Sequence, residues 1–254
     1  MRVISPVAAL IVALGTASFC SPNCSAQSSA YARKAGSDSG IGKVGVGLKV
    51  STLGAGAEVA VSVARKANIR GGFNAFTYSR VFAKDGITYN GTLNLRSAAV
   101  LLDWFPFGGG FHLSPGALVY NGSGAKGNAN VPGGQTFTLG GTVYQSDTTN
   151  PVTGKGNLAL TKAAPMVLFG WGNLVPRHKH FSFDIETGVV FQGSPRATLA
   201  LAGAACQPGG GSCVNAATDP TVQSSVLAEE AKLNKSMAPF KYYPVFSVGF
   251  GYRF

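Results

Sequence analysis

A chain of 254 residues with 45% apolar content can fill a sizeable core or cover a sizeable lipid-facing surface. Only 12% of its residues are charged and 35 are glycine, a composition unlike that of an ordinary soluble domain. The formal charge is +11, but Lys and Arg are scattered singly, densest in "RKANIR" (65–70) and "RHKH" (177–180), which argues against nucleic acid and for small anionic solutes or lipopolysaccharide.

The chain begins with Arg2, an apolar run "VISPVAALIVALGTASF" and small residues ending "CSAQSSAYA". This is the pattern of a secretory signal peptide over 1–26, with cleavage after Ala26 or Ala32. Pro6 and Gly15 leave the run too short for a membrane anchor, and neither Cys20 nor Cys24 follows the small residue expected in a lipoprotein. A short N-terminal segment, 27–42, precedes the remaining domain, 43–254. Past residue 26 no window holds the roughly 20 apolar residues of a spanning helix, so membrane passage would require a barrel of strands of about 10 alternating residues.

Eight such strands follow. In "KVGVGLKV" (43–50), Val44, Val46, Leu48 and Val50 share a face against Lys43, Gly45, Gly47 and Lys49. In "AEVAVSV" (57–63), Val59, Val61 and Val63 point outward and Glu58 inward. The third strand, 69–81, has a mixed phase, with Phe76 and Tyr78 sharing parity with Arg70, Asn74 and Arg80. The fourth, 87–104, sets Leu93, Leu95, Ala99 and Leu101 opposite Asn94 and Arg96, and "FPFGGG" ends it. A fifth runs over 111–120 and a sixth over 163–172, with Val167, Phe169 and Trp171 on one side. The seventh, 181–192, alternates Phe181, Phe183, Ile185, Val189 and Phe191 with Ser182, Asp184, Glu186 and Gln192. The eighth ends the sequence with Phe246, Val248, Phe250, Tyr252 and Phe254 facing away from Ser247, Gly249, Gly251 and Arg253.

Two Gly/Asn/Thr-rich stretches, about 122–157 and 193–239, read as long external loops, since the other connections are short. Within the second, 219–237 reads as a helix with Asp219 at its N-cap and Pro220 at its first position, packed on the loop or acting as a lid or plug. In an exported chain Cys206 and Cys213, separated by "QPGGGS", predict a loop disulfide. His112, His178 and His180 offer the pair no metal-ligand spacing, and no metal or cofactor is expected.

Inward charges must pair, and by parity Lys43, Lys49, Arg70, Arg96 and Arg253 are available to Glu58, Asp184 and Glu186. Gly45, Gly47, Gly249 and Gly251 either reopen lumen space or permit closure between the first and last strands; closure is the favoured reading.

The fold expected is therefore an all-β, antiparallel up-and-down transmembrane barrel of about eight strands. "LLDWFPFGGGFHLSPG" (101–116), "FGWGNLVP" (169–176), "FQGSPRA" (191–197) and "KYYPVFSVGFGYRF" (241–254) resemble a group of small, mostly uncharacterised Gram-negative outer-membrane barrel proteins. That resemblance implies a bacterial outer-membrane location, reached through the periplasm. It also implies that the alternating strand Phe246, Val248, Phe250, Tyr252 and Phe254 is the signal read by the barrel assembly machinery. His112 and Ser114 on one strand could meet Asp184 and Glu186 on another, but no stretch matches the motif of a barrel enzyme, so no catalytic residue is assigned. The function expected is a narrow, porin-like passage for small anions with a basic lumen. The alternative is a non-conducting structural or surface-interaction barrel acting through its long loops.

Overall fold

A computed structural model describes residues 41–84, 86–209 and 211–254. The predicted signal peptide, 1–26, and all but the last two residues of the segment 27–42 lie outside the described residues.

Eight strands close an antiparallel barrel: β1 (Val44–Ser51), β2 (Gly54–Ala64), β3 (Ala67–Lys84), β4 (Ile87–Trp104), β5 (Phe111–Asn121), β10 (Ala164–Trp171), β11 (Phe181–Phe191) and β15 (Tyr242–Arg253). These are the eight strands predicted, with ends shifted by a few residues at most, except that β2, β3 and the terminal strand run longer. β1 pairs with both β2 and β15, and the Phe254 N–H donates to the Val44 carbonyl at 3.0 Å, so the last strand closes the wall on the first.

The alternation does what lipid exposure demands. Val46, Leu48, Val59, Ile69, Val100, Leu102, Ile185, Val248 and Phe250 all point outward, and an unpaired apolar face of this extent is stable only against hydrocarbon. Trp104, Phe107, Trp171, Phe181, Tyr252 and Phe254 ring the end that holds the C-terminus, the position of an interfacial aromatic girdle. The turns at 65–66, 105–110 and 172–180 lie at that end, and both long connections leave from the other.

Those two connections are not irregular loops, which corrects the expectation. β3 and β4 are 18 residues each, about twice what a membrane needs, and pair along their whole length, so they overshoot the wall. β4 bonds β5 over Ser97–Trp104 and then changes partner to β6 (Gly124–Asn130) over Thr88–Asn94. β9 (Thr153–Ala159) and β12 (Arg196–Ala202) extend the same sheet. A second sheet combines β7 (Thr136–Leu139), β8 (Thr142–Ser146), β13 (Ala204–Cys206) and β14 (Cys213–Asn215). Cys206 and Cys213 face each other across the β13–β14 hairpin and form the predicted disulfide.

The helix α1 (Pro220–Met237) starts as predicted, with the Asp219 carboxylate accepting from the N–H groups of Thr221 (2.9 Å) and Val222 (3.1 Å). Val222 and Val226 are buried in an outer core with Ile87, Leu139, Tyr144 and Val152. The helix lies against the edge strand β12. Glu230 accepts from the Leu199 N–H at 2.6 Å and Asn234 from the Ala197 N–H at 2.8 Å, satisfying an edge that would otherwise be bare.

Candidate functional site: the layered lumen

Inside the wall, side chains fill three layers. Toward the outer end Ala99, Leu101, Leu118, Met166, Leu168, Val190 and Val245 pack together, with Leu53 and Tyr243 against them. This corrects the reading of the fourth strand: Ala99 and Leu101 face inward, while Val100, Leu102 and Trp104 face lipid. "AAVLLDW" is apolar on both faces, so alternation alone could not orient it. Asp103, which shares parity with Ala99 and Leu101, was the signal available.

Below this lies a charge layer. Arg70 on β3 is buried among three carboxylates. Its Nη1 donates to Glu58 Oε2 at 3.2 Å and to Glu186 Oε2 at 3.1 Å. Its Nη2 donates to Asp103 Oδ1 at 2.9 Å and to Glu186 Oε1, and its Nε to Asp103 Oδ1 at 3.2 Å. A guanidinium suits this place because its planar fork offers five donors in fixed directions. Lys49 Nζ reaches Glu58 Oε2 at 2.8 Å, Ser114 Oγ donates to Asp103 at 2.6 Å, and Ser247 Oγ donates to Glu186 at 3.2 Å. His112 meets oxygen acceptors on both sides: Nδ1 lies 3.1 Å from the Gly172 carbonyl and Nε2 2.9 Å from Glu186 Oε1. Two acceptors on one ring is the pattern of an imidazolium. Counted so, Lys49, Arg70 and His112 balance Glu58, Asp103 and Glu186.

Of the predicted lumen network, Lys49, Glu58, Arg70 and Glu186 are therefore brought together, and Asp103, His112 and Ser114 join them unassigned by parity. Four members stand elsewhere. Arg96 is exposed, because it shares the outward parity of Val100 and Leu102. Asp184 is buried, but neither of its oxygens has a hydrogen-bond partner among the described residues. Arg253 turns to the carbonyls of Pro176 (2.5 Å) and Arg177 (2.7 Å) instead of a carboxylate. Lys43 is half-buried at the mouth, in a cleft of about 560 Å³ that it shares with Arg65, Arg177 and Lys179. With Arg96 outside and Asp103 inside, the buried charged residues of the wall are four bases, His112 counted as its imidazolium, and four acids, so they carry no excess of positive charge.

The third layer closes the turn end. The β10–β11 turn folds back into the mouth and buries Leu174 and Val175 against Ala60. Gly172 starts this turn at φ +141°, where a Cβ would also strike the Asp184 backbone. The inward glycines make room for it: a Cβ on Gly45 would collide with the Leu174 carbonyl, and one on Gly47 would come within 2.7 Å of Leu174 Cδ1. These glycines thus make room for an inserted turn, and Gly47 also for the approach of the first and last strands, since its Cβ would lie 3.2 Å from the Phe250 carbonyl. Gly251 also faces Leu174, and Gly249 faces the Asp184 carboxylate.

No protein-family model and no curated protein sequence matches this chain. Among the solved structures that match by shape are CarO and CarO2 of Acinetobacter baumannii, each with a TM-score of 0.54 at 20% sequence identity. Each match covers 84% of this chain, with 98% of CarO and 99% of CarO2. At that identity the likeness is one of fold, and it spans the barrel wall. The chain has the closed eight-stranded antiparallel fold of outer-membrane barrels.

Proposed function

We propose that this protein is an exported outer-membrane barrel whose lumen is a sealed core and whose activity lies in the folded sheets at its outer end. The observation that carries this reading is the stacking of three occupied layers along the lumen: apolar side chains, an ion cluster of balanced charge, and the inserted Leu174–Val175 turn. An eight-stranded barrel has barely enough interior for its own side chains, and here each level is taken. The porin-like reading needed an excess of inward bases, and that excess goes with Arg96 outside and Asp103 inside. His112 and Ser114 point into the ion cluster between two apolar layers, which supports a non-enzymatic role.

In this reading the signal peptide is removed near Gln27, and the assembly machinery reads the strand from Phe246 to Phe254. The aromatic girdle and apolar belt then meet lipid, while the outer sheets stand among lipopolysaccharide. The test is conductance of refolded residues 27–254 in a planar bilayer, using protein whose gel mobility shifts on boiling. A silent bilayer supports the sealed lumen. Reproducible steps with anion selectivity overturn it in favour of the narrow channel.

A further inference from the structure

Above the wall, the inward face of β3 and β4 continues as the inner face of the outer sheet, because directly paired residues share a face. One rung of that face is bare. Gly91 on β4 pairs with Gly127 on β6, and Gly127 pairs with Gly156 on β9, so three adjacent strands carry no side chain at the same level. Each glycine is ordinary extended backbone, and a Cβ on Gly127 would meet nothing within 4 Å. Above Gly127 the gap is therefore open space, while at Gly156 a Cβ would lie 3.4 Å from Leu199 Cδ2, ordinary contact at the edge of the rung.

The neighbouring rung on one side holds Phe82, Tyr89, Ala129 and Leu201, with the rings of Phe82 and Tyr89 stacked at 5.2 Å. Phe137 and Leu139 of β7 complete the lining. The result is a cavity of about 550 Å³ with a flat peptide floor and aromatic walls, within the size range of small-molecule sites. Its charge has one sign. Lys155 is the one charged residue among those lining it, and Arg80 stands at the end of the glycine rung, paired with Gly91. Arg80 is exposed and makes no ion pair or hydrogen bond with another described residue; no carboxylate lines the cavity.

We infer that this trough binds a small planar aromatic anion, its ring laid on the glycine floor beside Phe82 and Tyr89 and its carboxylate or sulfonate toward Arg80. A floor without side chains admits a flat group and gives a branched aliphatic one no wall to fill. The arrangement of ring on backbone and anion on guanidinium selects both shape and charge. This names a ligand class for the outer sheets and so rests on the reading that function lies there.

The test is calorimetric titration of 2-naphthoate into the whole mature chain in lipid nanodiscs, with protein-free nanodiscs subtracted. Saturable binding is expected, weakened about tenfold or more by Gly127→Val, which puts a branched side chain into the trough at a position where a Cβ meets nothing within 4 Å. Arg80→Gln should weaken 2-naphthoate about fivefold or more and leave neutral 2-naphthylmethanol unchanged. Cyclohexanecarboxylate, an anion without a planar ring, should not bind. The inference is overturned if wild type shows no saturable heat, or if Gly127→Val and Arg80→Gln both bind as wild type does. Each variant is first checked for the boiling-dependent gel shift, and Gly156→Val replaces Gly127→Val should that one fail it. Absent binding together with a silent bilayer removes this inference alone, whereas ion steps in the bilayer remove the sealed-lumen reading and leave the binding result to stand.

Discussion

Three carboxylates converge on the single guanidinium of Arg70, and this makes the cost of substitutions in the lumen uneven. Arg70→Met would leave Glu58, Asp103 and Glu186 buried around an apolar group. The loss expected is about 3–5 kcal/mol, the usual cost of breaking a buried ion pair from one side. It is read as a lower temperature for the boiling-dependent gel shift. The neighbouring acids should part company. Glu186→Gln removes a charge that holds Arg70, His112 and Ser247, and destabilises. Asp184→Asn removes a buried charge that no described residue bonds, and should leave that temperature unchanged or raise it. The glycines at the mouth also differ. At Gly45 an added methyl meets the Leu174 carbonyl, which is backbone, whereas at Gly47 it meets the mobile end of a side chain. Gly45→Ala should therefore expel the 172–180 turn and speed tryptic cleavage after Arg177 and Lys179, while Gly47→Ala changes that rate little.

At the level of elements, the helix and the edge strand it covers depend on each other. Asp219→Ala removes both side-chain bonds to the first turn and should cost about 1 kcal/mol. Replacing Glu230 and Asn234 together by Ala uncovers the N–H groups of Leu199 and Ala197 and should promote association through β12, read as larger species by light scattering. How far such elements could be seen in advance followed from their chemistry. Asp219-Pro220 announces a helix start locally, and β11 alternates aromatics with acids, so both were legible in the sequence. β4 was not, because its lower half is apolar on both faces, one toward lipid and one toward a packed lumen. β6 and β9 were missed for the opposite reason. "GAKGNAN" and "TGKGNLA" are strands rich in glycine and polar residues, low in β-propensity, the first held by the upper edge of β4 and the second by the first.

For the whole molecule, burial is not confined to the lumen: the outer sheets and the helix have a core of their own. A folded outer end predicts limited proteolysis and not wholesale shaving. Protease added outside proteoliposomes should cut first near Pro208 and Gly209, in the turn of the β13–β14 hairpin. Because Cys206 and Cys213 bracket that turn, the two fragments should separate on a gel only after reduction.

The partner change along β4 has a practical side. Epitope tags and antigenic grafts in barrels are commonly aimed at long external connections, on the premise that these can be exchanged as cassettes. Here a replacement of 122–157 would remove β6 and strip Thr88–Asn94 of its ladder on one side, so the graft would be felt by a strand whose lower half crosses the wall. The exterior of this protein can vary at its hairpin tips, but its strands are inherited together with the barrel.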